Sequence, residues 1–188
     1  MPTMRPPIDP TVTTAEQLLG VHVPPWRHEL VRGELRVMSP AGRRHGDACI
    51  ALGSLLHNHV RGTRIGKVYG NDTGFVLARK PDTVLAPDLA FVCRDRLPDP
   101  DEDGFYEGPP DLAIEVRSPR DSRRSILHKA REWLDHGCRG VWVVDPNERS
   151  VTVLGPSGES RTPGLDDVLT SDELMPGFAV TVREIFAD

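Results

Sequence analysis

No stretch of this 188-residue chain is apolar over the roughly 18 residues that a membrane span needs, and its start lacks the apolar region of a secretory signal. The expected address is therefore the cytoplasm. Cysteine is scarce: Cys49, Cys93 and Cys138 are odd in number, widely spaced and contain no Cys-x-x-Cys pair, which fits buried free thiols in a reducing compartment. The pair His57-x-His59 cannot set both rings on one helical face, so no zinc site is expected there. Nothing in the chain reads as a helix-turn-helix, a zinc finger or another DNA-reading module, and there is no internal repeat. The net charge of −5 gives no global reason for nucleic-acid binding. Lysine is also rare. Of 23 basic residues only Lys67, Lys80 and Lys129 are lysine.

What is present suits one soluble domain with a substantial core, at 38% hydrophobic and 27% charged residues. Residues 1–12, rich in proline, read as a disordered tail, and residues 13–188 as a single domain. Thr13 or Thr14 caps a short helix that ends at Gly20, and Glu29 to Met38 alternates around Arg32-Gly33 as a β-hairpin. A helix follows from about Gly42 to Arg61, with Ala48, Leu52, Leu55, Leu56 and Val60 in one stripe and Gly62 as its stop. Val68 to Ala78 is strand material broken at Asn71–Gly74. Strands are expected at about 88–93 and 111–117, and the acidic, Pro- and Gly-rich segment between them as an exposed loop. A helix over 121–136 stops at Gly137, Gly140–Asp145 is a buried strand, and Ser150–Leu154 returns after a turn. A final helical turn is expected near 182–186. Strand, helix, strand over 111–145 is a βαβ-type unit, so the class is α/β (α+β) with a mixed β-sheet core flanked by helices.

Two acids stand where acids are costly. Asp88 precedes the apolar run Leu89–Val92, and Glu115, 27 positions later, closes Leu112–Ile114. Ionised carboxylates at such places must be paired, hydrogen-bonded or bound to a cation. Two on neighbouring strands suit one hard ion, since Mg²⁺ takes one or two carboxylates plus water and substrate phosphates. Capping of turns or pairing with nearby arginines is the plainer alternative. On the helix after Glu115, Ile126, Leu127, Ala130, Trp133 and Leu134 form the buried stripe, and Lys129 lies about 100° from its centre. A border lysine can bury its stem and aim its ammonium at the sheet edge. Charge is segregated nearby: seven acids against Arg96 over residues 95–111, and five arginines plus Lys129 against Asp121 over 117–131. The basic stretch is either a patch for an anionic substrate or a solvated helix face.

Pro87-Asp88, Asp111-Leu112-Ala113-Ile114-Glu115-Val116-x-Ser118-Pro119, Asp121, Lys129 and Val141-Trp142-Val143-Val144-Asp145-Pro146 occur in an order that resembles the Uma-type restriction endonuclease domain family of the PD-(D/E)xK nuclease superfamily. The hairpin from His28 to Leu35 and the stretch from Ser39-Pro40 to His45 extend the resemblance to about residues 25–185. It implies a restriction-endonuclease-like fold, with Asp88 and Glu115 as ligands of Mg²⁺ or Mn²⁺ and the Val116 carbonyl as a third. The superfamily lysine stands two positions after the acid, where this chain has Arg117, and the resemblance moves that role to Lys129 on the following helix. Arg117, always charged, suits phosphate holding and not proton transfer. Glu29 is a further acid for the site, or a hairpin carboxylate facing water. His45 faces either the site or solvent from its helix start.

The implied reaction is metal-dependent hydrolysis of DNA phosphodiester bonds, leaving a 5′-phosphate, with Lys129 orienting water or stabilising charge on phosphate oxygen. A homodimer would let two sites address two strands. The rival reading is a catalytically inactive protein of the same fold that binds nucleic acid or a protein partner. The Asp88–Glu115–Lys129 set favours the enzyme, and the acidic loop with the negative total charge favours the rival.

Overall fold

A computed structural model describes residues 11–21 and 27–186 of the chain, and the first ten residues of the expected tail lie outside them. In chain order the elements are α1 (Ala15–Leu19), β1 (Arg27–Val31), β2 (Glu34–Met38), α2 (Arg43–Thr63), β3 (Gly66–Tyr69), β4 (Phe75–Ala78), β5 (Thr83–Leu85) and β6 (Leu89–Cys93). They continue as β7 (Tyr106–Glu107), β8 (Leu112–Val116), α3 (Arg123–Asp135), β9 (Gly140–Asp145), β10 (Ser150–Leu154), β11 (Ser160–Arg161), β12 (Val168–Thr170), β13 (Ala179–Thr181) and α4 (Val182–Ile185). The six-stranded sheet runs β11-β10-β9-β8-β6-β3, the five-stranded sheet β2-β1-β5-β4-β7, and β12-β13 form a ribbon.

The large sheet is mixed because β8 and β9 are joined through α3 and therefore lie parallel, while its other pairs are antiparallel. Burial on both faces explains the unbroken apolar runs of β6, β8 and β9. Alternation divides them. Leu112, Ile114 and Val116 of β8, with Leu89 and Phe91 of β6, meet Leu52, Leu56 and Val60 of α2. Ala113 of β8, with Ala90 and Val92 of β6, meets Ile126, Ala130 and Trp133 of α3. Leu52 is fully buried between α2 and the sheet. Leu52→Ala is expected to cost about 2–5 kcal/mol. Urea unfolding checks this, and a loss under about 1 kcal/mol would mean that α2 does not seal this face.

The hairpin turns at Arg32 and Gly33, both at positive φ (53° and 76°), the conformation that a tight two-residue connection requires. Thr14 and Gln17 form the capping box of α1. Gly62 does not stop α2. The helix runs on to Thr63, whose hydroxyl donates to the His59 carbonyl, and Arg64 takes the left-handed position at φ 57°. The segment 94–110 is not wholly irregular, since Tyr106 stacks on Phe75 and β7 pairs in parallel with β4. Val12, expected in the tail, packs with Leu18, Leu30 and Val84. Among the described residues no helix is long and apolar enough to cross a membrane.

Candidate active site where two helices meet the sheet end

Since β6 and β8 are antiparallel, with Leu89 opposite Ile114, the start of β6 and the end of β8 share one end of the sheet. Asp88 sits just before β6 and Glu115 just inside the end of β8. Glu115 follows Ala113 on the face toward α3, so strand alternation alone turns a carboxylate to that helix. The start of α2 reaches the same end from the other face, and the hairpin of the smaller sheet closes the front. Between them opens a cavity of about 690 Å³ whose walls include Glu29, His45, Asp88, Glu115 and Lys129.

Each acid is buried and each is answered. The Lys129 ammonium lies 3.0 Å from Glu115 Oε1, 3.1 Å from Glu115 Oε2 and 2.9 Å from Glu29 Oε1, and it donates to the Ala86 carbonyl at 3.3 Å. Trp133 Nε1–H donates to Glu115 Oε1 at 2.8 Å, and the Ala86 N–H to Glu29 Oε1 at 3.0 Å. Asp88 Oδ1 accepts from Arg27 at 3.1 Å. Its Oδ2 accepts from the Val116 N–H at 2.7 Å and lies 3.2 Å from His45 Nε2. Arg27 Nε is 2.6 Å from the exposed Asp72 carboxylate.

These contacts set the charges. Burial pushes the Glu115 carboxyl up to about 7 against the pull of the Lys129 ammonium, with Asp88 and Glu29 adding like charge. Burial works on Lys129 in the opposite sense, but the Glu115 and Glu29 carboxylates outweigh it and hold the amine above its usual range. For Asp88, burial is overcome by the His45 contact, the Val116 N–H and the Arg27 guanidinium, so its carboxyl is lowered. The outcome is three buried carboxylates at one cavity, Asp88 balanced by Arg27 and the Glu115–Glu29 pair by the one Lys129 ammonium.

Glu29 and His45, which the sequence left open between site and solvent, are both buried on the cavity. Arg117 is not part of its wall. Parallel pairing of β8 with β9 sets it beside Asp145, to which it donates at 2.5 Å, and its Nε–H donates to the Asp121 carbonyl at 3.1 Å. The basic stretch divides accordingly. Arg120 lines the cavity and donates to Ser39 Oγ at 2.8 Å, while Arg123, Arg124 and Arg131 are exposed away from it. The acidic residues of 95–107 are likewise absent from the cavity wall.

Sequence reasoning missed three members of the site. Arg27 lies on β1, 61 residues from its Asp88 partner, with no local signal to connect them. Trp133 reads as core from its stripe position, and it is core, yet its indole N–H fixes Glu115. Glu132 adds a carboxylate to the cavity wall, and its Oε2 is buried with no hydrogen-bond partner among the described residues. Its place one turn after Lys129 was the available signal.

The mixed sheet brings two acids and a lysine to one strand end, and comparison with known proteins gives the family. The family described as "Uma2: Putative restriction endonuclease" matches residues 15–183, and the chain belongs to it. Among solved structures, it is similar in fold to a putative nuclease belonging to DUF820 from Anabaena variabilis. That match has a TM-score of 0.80 at 19% identity and covers 93% of this chain and 97% of the other. No curated protein matches the chain.

Proposed function

We propose that the protein is a metal-dependent endonuclease that hydrolyses DNA phosphodiester bonds at the Asp88–Glu115–Lys129 cavity. One observation carries the reading: two buried carboxylates from neighbouring strands open with a lysine onto a cavity large enough for a phosphodiester. Family membership supports it. A protein that only bound nucleic acid would have no use for acids buried at such cost.

The donor set fits a hard divalent ion. Asp88 and Glu115 bring carboxylate oxygens to one cavity, Glu132 leaves one buried oxygen unpartnered, and Arg27 and Lys129 now supply the positive charge that an ion would bring. Asp88 and Glu115 would hold Mg²⁺ or Mn²⁺. When bound, such an ion polarises the scissile phosphate and lowers the pKa of a water. Arg27, which now neutralises Asp88, would be released by such an ion, and its guanidinium would then be available to a phosphate oxygen. Lys129, held by Glu29, keeps its charge and turns it on the phosphate or the attacking water. Trp133 keeps Glu115 pointed at the cavity. Arg120 and Ser39 at the rim suit the flanking backbone phosphates. A homodimer, which light scattering would reveal, would present two such cavities to two strands.

The test is cleavage of circular and of single-stranded DNA with Mg²⁺ or Mn²⁺ and with EDTA. Metal-dependent nicking supports the proposal. Metal-independent binding without any cleavage of either substrate supports the inactive rival.

The raised Glu115 carboxyl adds a pH dependence. Ion binding needs the ionised form, so Mg²⁺ affinity and cleavage should rise as pH passes upward through about 7. The sign for stability is opposite. A carboxyl whose folded pKa exceeds its unfolded value lends stability below the unfolded pKa and loses it as pH rises through the folded one. The metal-free protein should therefore melt at lower temperature at about pH 8 than at about pH 5.5 on this group's account, and added Mg²⁺ should recover the loss. A Mg²⁺ affinity that is flat across this range would contradict the assignment of Glu115.

A further inference from the structure

Cys49 lies one helical turn after His45 on α2, so the two side chains project from the same face. Both are buried, and that face meets Asp88. His45 Nδ1 is 3.5 Å from Cys49 Sγ, and His45 Nε2 is 3.2 Å from Asp88 Oδ2. One ring nitrogen, the sulfur and one carboxylate oxygen all lie within 4.8 Å of one another. One ion takes one ring nitrogen: Zn–S and Zn–N bonds of about 2.3 and 2.0–2.1 Å at a tetrahedral angle put sulfur and nitrogen about 3.5 Å apart, the separation of Cys49 Sγ from His45 Nδ1, and the Asp88 carboxylate, now against Nε2, would swing to the same ion.

We propose that His45, Cys49 and Asp88 form a thiolate-containing site for a borderline-soft divalent ion of the Zn²⁺ or Co²⁺ class, sharing Asp88 with the hard-ion pair Asp88–Glu115. The donor types select the ion. Thiolate and imidazole favour Zn²⁺ and Co²⁺ and offer little to Mg²⁺. Three protein ligands leave one tetrahedral position, and the cavity that His45 and Asp88 line admits a water to fill it. In the metal-free protein a proton occupies the thiol, and binding exchanges it: Cys49 S–H and M²⁺ give Cys49 S–M and one H⁺ released to solvent. Because both sites draw on the one Asp88 carboxylate, a soft ion on its His45 side repels a hard ion and takes up charge that the hard ion needs. Zn²⁺ should therefore act as an inhibitor competing with Mg²⁺, an effect that rests on the endonuclease reading, whereas the site itself does not.

Co²⁺ titration followed by near-ultraviolet absorption tests the site without any cleavage assay, because cobalt bound to thiolate gives an intense sulfur-to-metal charge-transfer band that oxygen and nitrogen ligands lack. The wild-type protein should develop the band to saturation at one equivalent. Cys49→Ser should lose it, while Glu115→Gln, which removes the hard-ion pair, should keep it. No band in the wild-type protein, or an undiminished band in Cys49→Ser, would overturn the inference. Should Cys49→Ser fail to fold by circular dichroism, the double variant Cys93→Ser/Cys138→Ala, in which Cys49 is the remaining cysteine, decides by keeping or losing the band. Cleavage without a cobalt band would leave the endonuclease reading standing and this one refuted, and a band without cleavage would do the reverse.

Discussion

Asp88→Asn is expected to lower Mg²⁺-dependent cleavage by at least about 10²–10³-fold, the scale of losing a main electrostatic group from a buried site. Removing one acid from a cluster would by itself relieve repulsion, and from the sequence that suggests an undamaged fold. The geometry alters the expectation. Asp88 holds Arg27, the Val116 N–H and His45 at once, and an amide carries no charge to balance the guanidinium. A stability cost of about 1–3 kcal/mol should accompany the loss of activity, softened because Arg27 keeps Asp72. Chemical denaturation together with single-turnover cleavage separates the two effects. Full activity in a folded Asp88→Asn protein would remove Asp88 from the chemistry.

Lys129→Ala should have the second large effect, and it divides into two parts. Glu115 and Glu29 lose the cation that both share, so two buried carboxylates remain uncompensated, which costs about 3–5 kcal/mol where breaking a buried pair has been measured. Because the cost falls on ionised acids, it should shrink as pH is lowered and the carboxyls protonate. Adding Glu29→Gln to Lys129→Ala should restore part of the stability. It should restore none of the cleavage, since the ammonium that faces the phosphate is still gone. Recovery of cleavage along with stability would show Lys129 to be a structural counter-ion only. Arg117→Ala should leave the chemical step far less affected, because Arg117 is occupied with Asp145 and stands outside the cavity.

The parts of the fold legible in the sequence are those whose burial left a long trace. β6, β8 and β9 are unbroken apolar runs, α2 and α3 carry stripes with helical spacing, and Gly137 marks the end of α3 at φ 96°. The three-residue strands β5, β12 and β13 are too short to show a period, and pairing from elsewhere in the chain creates them. Gly62 misled because an exposed glycine in the last turn costs a helix little, and Arg64 accepted the left-handed position instead. In the site, Asp88 and Glu115 stood out as acids at the rims of apolar strands, and Lys129 through its place on the helix border. Arg27 could not be seen, because its partner is fixed by how the smaller sheet docks. Cys49 was legible only as a buried thiol, since its meaning depends on which face of α2 meets Asp88.

Manganese soaked into crystals of the protein, located by its anomalous scattering, tests the central claim most directly. The account predicts a peak bonded to a carboxylate oxygen of Asp88 and one of Glu115, with Arg27 withdrawn from Asp88 and Lys129 still against Glu29. Saturating Mn²⁺ that leaves no peak there, with Arg27 and Lys129 still paired to the two acids as in the metal-free protein, would contradict it.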